Sequence, residues 1–278
     1  DCLLCIIDAS SLETLSALRG TNVRLRCLIN GFLTRAWNTT LEQHFHDALG
    51  FREILRVTGS IVSGSHALYF ALRNTEWHQW QPSDLDVYCP VAAGLDLVEY
   101  LVRREGYKIS NPFEDSETRC LYQDVGGIAT VVTLRRTSGQ KVDIIVGTGP
   151  SALATLTHFW GTAVINFISA DTICVTYPRL TLRGVCCIST RRHRVHRLRV
   201  CVLKYVARGF IVGGFSVNGV RSFHASDDPY CPHTERSFFD NACLTIHFGR
   251  DPPAIRGTPC VHPVWGYGGN NCGGHCDM

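Results

Sequence analysis

The sequence predicts an α/β protein of the α+β kind: a small mixed sheet with flanking helices, a helical N-terminal cap and a basic, helical C-terminal part. Three observations carry this expectation. Residues 1–58 place apolar side chains at helical spacing. Residues 59–160 alternate short apolar runs with helical stretches, punctuated by Gly and Pro. Near residue 200, arginines crowd around an apolar helical stripe. With 278 residues the chain is long enough to bury a substantial core, and 45% hydrophobic with 18% charged residues excludes a mostly disordered polymer.

Taken in order, Ser10-x-x-Glu13 and Thr39-x-x-Glu42 each have the form of a capping box. Leu41, Phe45, Leu49 and Ile54 are then expected to face inward. "GSIVSGS" (59–65) is a short apolar run ended by Gly64-Ser65, the form of a strand turning into a helix, and "HALYFAL" continues that helix. "DLDVYCP" (84–90) is a strand stopped by Pro90. "LDLVEYLVRREGY" (95–107) is a helix, with Leu95, Leu97, Val98, Leu101 and Val102 apolar and Gly106 as its stop. "GIATVVTLRR", "TSGQ" and "KVDIIVG" (127–147) read as a β-hairpin turning at Ser138-Gly139. Pro150 opens the helix "PSALATLTHFW". In "TRRHRVHRLRVCVLKYVAR" (190–208), Val195, Leu198, Val202 and Val206 form the apolar stripe. These elements divide the chain into a helical cap (1–58), an α/β core (59–160), a helical basic region (161–230) and a loosely ordered Cys/His/Gly-rich tail (231–278).

No apolar run approaches the ~20 residues that cross a bilayer. The opening "DCLLCIIDAS" lacks the basic segment and long apolar run of a secretory leader. Fourteen cysteines would suit disulfides in a small secreted protein, but in a chain of this size without such a leader reduced thiols are expected, in cytoplasm or nucleus. Charge is unevenly spread: residues 1–180 carry 15 basic and 18 acidic side chains, residues 181–278 carry 12 and 6. The second part is the one expected to meet an anionic partner.

The chemistry sits in the strands. Asp84 and Asp86 are two apart, so they project to one face while Leu85 and Val87 project to the other. At roughly 6–7 Å between Cα atoms, two such charges repel by about 2 kcal/mol at an effective dielectric near 20, and burial adds to the cost. A divalent cation offsets that repulsion economically. Asp143 interrupts the apolar run Val142, Ile144, Ile145, Val146 and poses the same problem on a second strand. Beside the first strand it completes a three-carboxylate cluster of the kind that holds two metal ions for in-line phosphoryl displacement. Gly64 and Ser65, at a helix start, offer backbone N–H groups and a hydroxyl to phosphates.

Together, "SGSHALYF", "SDLDVY" and "KVDIIV" resemble the signature of the DNA polymerase β-like nucleotidyltransferase superfamily: a Gly-Ser turn, an Asp-x-Asp strand and a third Asp on a later strand. A narrower resemblance, over about residues 50–215, is to uncharacterised nucleotidyltransferase-like proteins of mushroom-type fungi. They share the "SGS-x-AL" and "DLD-x-Y" elements, an "NFI…YPRLT" segment (Asn166 to Thr181) and a "KY-x-x-RGF" segment (Lys204 to Phe210). The resemblance implies a sheet of nucleotidyltransferase type and transfer of a nucleoside monophosphate from an NTP to an acceptor hydroxyl. Gly64 and Ser65 would hold the triphosphate, Asp84 and Asp86 two Mg²⁺ or Mn²⁺ ions, and Asp143 one ion and the acceptor hydroxyl; Lys204 would reach a phosphate. The spacing departs from the compact motif: the insert "NTEWHQWQP", with Trp77 and Trp80, is expected to bulge as a loop, its tryptophans either covering the core or stacking on a base.

Arg191, Arg192, Arg194, Arg197 and Arg199 fit either a nucleic-acid backbone or the solvated face of an amphipathic helix. Cys231, His233, Cys243, Cys260, His262, Cys272, His275 and Cys276 are zinc-preferring residue types, but their spacings fit no standard finger, and structural zinc is not expected. Two alternatives accompany the enzyme reading: a catalytically inactive scaffold of the same fold, and a nucleic-acid-binding protein acting through the basic helix. The acceptor is open among RNA, nucleotide, protein and small molecule.

Overall fold

The structure, a computed structural model, describes residues 2–110, 126–189, 195–214, 229–249 and 263–267, with the side chains of 195–197 also outside the description. The first 58 residues are helical: α1 (Cys2–Asp8), α2 (Leu12–Thr21), α3 (Val23–Glu42) and α4 (Ala48–Thr58). The caps differ from those expected. Ser11 caps α2 by accepting the Thr14 amide at 3.3 Å, while Ser10 Oγ donates to the Ile6 carbonyl at the end of α1. Thr39 lies inside α3, whose cap is Asn22, and Asp47 caps α4 through the Gly50 amide. Any of these oxygens satisfies an orphan amide, so neighbouring candidates offer registers that spacing alone does not separate. Leu41 and Phe45 are buried and Ile54 is partly buried, but Leu49 is 65% exposed. The reason is phase: α3 ends at Glu42 and α4 restarts five residues on, turning Leu49 outward.

The remaining described elements are β1 (Ile61–Ser63), α5 (Gly64–Ala71), β2 (Leu85–Cys89), α6 (Gly94–Arg103), β3 (Lys108–Ile109), β4 (Ile128–Arg135), β5 (Lys141–Gly147), α7 (Ala152–Leu156), β6 (Phe167–Ile168), β7 (Thr172–Val175), α8 (Pro178–Thr181), β8 (Val185–Cys187), α9 (Val195–Ala207), β9 (Ile211–Gly213), β10 (Arg236–Ser237), β11 (Leu244–His247) and β12 (Val264–Trp265). One sheet of eight strands runs in the order β11-β7-β6-β1-β2-β5-β4-β3. Its β2–β5 pair is parallel and its other pairs are antiparallel. The fold class is therefore the expected mixed α/β one, and the strand–turn–helix at residues 61–71 and the hairpin of β4 and β5 fall where the sequence puts them.

The sheet is larger than expected. Residues 161–230 are not helical throughout, since β6, β7, β8 and β9 lie there, and β11 comes from the segment expected to be loosely ordered. Strands of two to four residues are too short to display a period of two. The described part of that tail is packed: the buried Arg236 donates to Asp240 (2.6 and 2.9 Å) and to the carbonyls of Thr176 and Pro229, and lies over Tyr177 and Trp265. On α9 the inward residue is Tyr205, with Leu198 and Val202 partly buried and Val206 exposed, so the apolar stripe is rotated from the expected one. No described helix is long and apolar enough to cross a membrane.

Alternation along the strands creates two apolar layers. Val62, Leu85, Val87, Val142, Ile144, Ile168, Ile173 and Ile246 face the N-terminal helices and α6. Ile61, Tyr88, Ile145, Phe167 and Cys174 face a second cluster with Leu156, Tyr177, Phe238 and Trp265. The cap is tied to the sheet by charge as well. Arg52 Nη2 meets Asp171 Oδ1 at 2.7 Å and Arg56 Nε meets Asp171 Oδ2 at 2.7 Å, with Arg52 also donating to the Ala170 carbonyl and to Asn38. Burial alone would raise the Asp171 carboxyl, but the two arginines outweigh it and hold it below the usual carboxylate range. Removing one member of a buried ion cluster strands the others. Asp171→Ala is expected to lower the unfolding free energy in urea by about 3–5 kcal/mol. Glu53→Ala, which removes the exposed partner of Arg56, is expected to cost less than about 1 kcal/mol.

Candidate functional site

Register decides where the carboxylates meet. In the parallel β2–β5 pair Asp86 lies opposite Asp143, the antiparallel β1–β2 pair sets Ser63 opposite Asp86, and β4–β5 sets Thr133 opposite Asp143. A polar row, Ser63, Asp86, Asp143, Thr133, thus crosses four adjacent strands whose other positions are largely apolar. Asp84, in the bend just before β2, joins this row. Ligand oxygens of Asp84, Asp86 and Asp143 all lie within 4.8 Å of one another.

Asp143 is 1% exposed. Burial pushes its carboxyl above the usual range, opposed by Thr133 Oγ1, which donates to Oδ1 at 2.6 Å, and by Lys141. Lys141 Nζ sits 2.9 Å from Asp143 Oδ2 and 3.7 Å from Asp84 Oδ2. The sequence reading missed this lysine. Its signal was present in "KVD", because a residue two before Asp143 on a strand shares its face.

Gly64 and Ser65 begin α5 directly after β1. Gly64 has φ +64°, and a Cβ there would stand 2.5 Å from Asp86 Oδ2, so both backbone and neighbour demand glycine. Ser65 Oγ accepts from Arg208 Nη1 at 3.1 Å. Arg208 lies 3.7 Å over the Trp80 ring and 5.0 Å over the Tyr205 ring. Lys204, the cation expected here, is exposed one turn earlier on α9. Arg208 thus replaces it beside the turn, a residue that the seven arginine and lysine positions around α9 did not single out.

The tryptophans of the insert cover the core. Trp77 packs over Gly184, where φ is +68° and a Cβ would stand 2.5 Å from the indole, and both tryptophans border the cluster of Leu68, Leu72, Tyr205 and Phe210. Arg191, Arg192 and Arg194 lie outside the described residues, as does the side chain of Arg197, and Arg199 is exposed. Of the Cys/His set, Cys260, His262, Cys272, His275 and Cys276 also lie outside. Cys243 Sγ accepts from Arg236 Nη2 at 3.5 Å, and its thiol is paired with that of Cys174.

Two buried histidines border the site. His66 follows Ser65, and its ring lies 4.7 Å from that of His44, edge to face. Neither ring nitrogen of His66 has a partner among the described residues, nor does Nδ1 of His44. Burial drives His66 down to about 3 and His44 to about 4; His44 and Arg208 lower His66 further, Arg136 lowers His44, and Asp84 opposes both.

Three hard carboxylates in one cluster match the oxygen preference of Mg²⁺ or Mn²⁺. No family model matches the chain, and no curated protein does. Among solved structures it is similar to the apo form I of a CCA-adding enzyme, at 14% identity and TM-score 0.38, over 62% of this chain and 41% of that enzyme's length.

Two outcomes follow from this geometry. Because His44 and His66 are neutral when folded and protonate near pH 6.5 when unfolded, stability is full above about pH 6.5 and is lost as pH falls toward the folded values of about 4 and about 3. Urea unfolding is expected to weaken by about 1.4 kcal/mol per pH unit for each histidine, and His66→Leu is expected to remove one share of that slope. Gly64→Ala is expected to destabilise by at least about 1 kcal/mol, whereas Gly20→Ala in α2, with open space around it, should be neutral or stabilising.

Proposed function

We propose that the protein is a metal-dependent nucleotidyltransferase that moves a nucleoside monophosphate from an NTP to an acceptor hydroxyl. The observation that carries this reading is the convergence, within 4.8 Å, of Asp86 and Asp143 from two adjacent strands and Asp84 just before the first, beside a Gly-Ser helix start. Bound Mg²⁺ or Mn²⁺, two ions on the sequence reading, would neutralise the transferring phosphoryl group. Asp84 and Asp86 would hold the ions. Asp143, oriented by Thr133, would hold one and direct the acceptor hydroxyl. The first amides of α5 and the Ser65 hydroxyl would bind the triphosphate, with Arg208 supplying the cation that was expected of Lys204.

In the step itself the acceptor oxygen forms its bond to the α-phosphorus as the bond to the β-phosphate oxygen breaks. Pyrophosphate leaves, and the hydroxyl proton passes toward the carboxylates. Little covalent work falls to the protein, so rate comes from positioning and charge. The acceptor class (RNA, nucleotide, protein or small molecule) belongs to this reading only as a hydroxyl donor, and the narrower likeness to fungal nucleotidyltransferase-like proteins is part of the same proposal.

Calorimetry tests it. The wild type is expected to bind an NTP only with Mg²⁺ or Mn²⁺, Asp84→Ala/Asp86→Ala to lose that binding, and Arg208→Gln to weaken it roughly tenfold or more while Lys204→Gln stays near wild type. A folded wild type that binds no NTP with either ion would return the protein to the scaffold reading. RNA binding that is steeply salt-dependent and survives Asp84→Ala would point to the basic helix instead.

A further inference from the structure

Strand register places Asp86 and Asp143, and Asp84 lies just before β2, so the protein itself must carry the cost of three acidic groups within one cluster. Lys141 meets part of that cost. It lies on the same face of β5 as Asp143, and its ammonium bridges Asp143 Oδ2 at 2.9 Å and Asp84 Oδ2 at 3.7 Å, the space between two of the three carboxylates. Asp86 Oδ2 lies against Gly64 at the helix start, where the triphosphate would lie. Two cation positions can thus be told apart: one on the Asp84–Asp143 side, filled by Lys141, and one on the Asp86 side, facing the turn.

We propose that Lys141 is a built-in counter-cation that occupies one of the two cation positions of the triad, limits the site to a single divalent ion and weakens its hold on that ion. This rests on the metal-dependent reading above and corrects its stoichiometry from two ions to one. The charges agree with it: three carboxylates and one ammonium leave a net of two negative charges, which one divalent ion neutralises. A fixed positive charge a few ångströms from a second ion would repel it strongly in a partly buried site. In the transfer step the ammonium then does part of what the second ion would do, holding Asp143 and countering charge near the attacking oxygen.

The test is a Mn²⁺ titration of the full chain without nucleotide, with free ion read by electron paramagnetic resonance. Wild type is expected to bind one ion per chain, Lys141→Met to bind Mn²⁺ roughly tenfold or more tighter, and Lys141→Arg, which keeps the charge, to stay near wild type. Unchanged or weaker binding by a folded Lys141→Met would overturn the proposal while leaving the metal site in place. Binding by neither wild type nor variant would overturn the metal reading itself. Should Lys141→Met not fold, the wild type still decides. A crystal soaked in Mn²⁺ is expected to show one anomalous peak, on the Asp86 side of the triad, and two peaks at the triad would refute the single-ion site.

Discussion

The structure turns on the parallel pairing of β2 with β5. In that register Asp86 and Asp143 stand side by side, with Asp84 just before β2, so the centre of the sheet carries three carboxylates that repel one another. A one-residue slip would exchange them with Leu85, Val87, Val142 and Ile144 and empty the core layer beneath the N-terminal helices. The apolar face therefore pins the register, and the register concentrates the acid. What surrounds the triad makes it tolerable: Thr133 donates to Asp143 from β4, and Lys141 places its ammonium between two of the three.

Around this row the rest of the molecule acts as a support. The helical cap buries its apolar faces on one side of the sheet and is anchored by Arg52 and Arg56 to Asp171 in the turn between β6 and β7. Opposite the cap, Arg236 locks Thr176, Asp240 and the aromatic rings of Tyr177 and Trp265. The insert before β2, held down by Trp77 and Trp80, brings an aromatic surface to Arg208, and Arg208 in turn reaches Ser65. Through these contacts, residues more than a hundred positions from the Gly-Ser turn help to shape it.

Much of this was legible in the sequence where a local signal sufficed. The hairpin of β4 and β5 shows itself by alternation and a Ser-Gly turn, the start of α5 by Gly64-Ser65, and the grouping of Asp84 with Asp86 by their spacing. Signals failed where elements are short or where neighbours compete. β6, β7 and β11 have too few residues to show a period, Ser10 and Ser11 both suit a cap, and Leu49 lies just past a break in helical phase. Among the many cations of α9 and its surroundings, nothing in the spacing marked Arg208 over Lys204.

By itself, the sequence determined the fold class, the acid residues and the glycine that must precede Ser65, because each of these follows from local backbone geometry and side-chain periodicity. Only the tertiary structure decided which strand β5 joins, and hence that Asp143 meets Asp86. It alone decided that the Lys141 ammonium sits between Asp84 and Asp143 and that Arg208 reaches Ser65. Strand pairing and helix docking are set by the total burial of apolar surface over distant segments, and that sum is not written in any short stretch of chain.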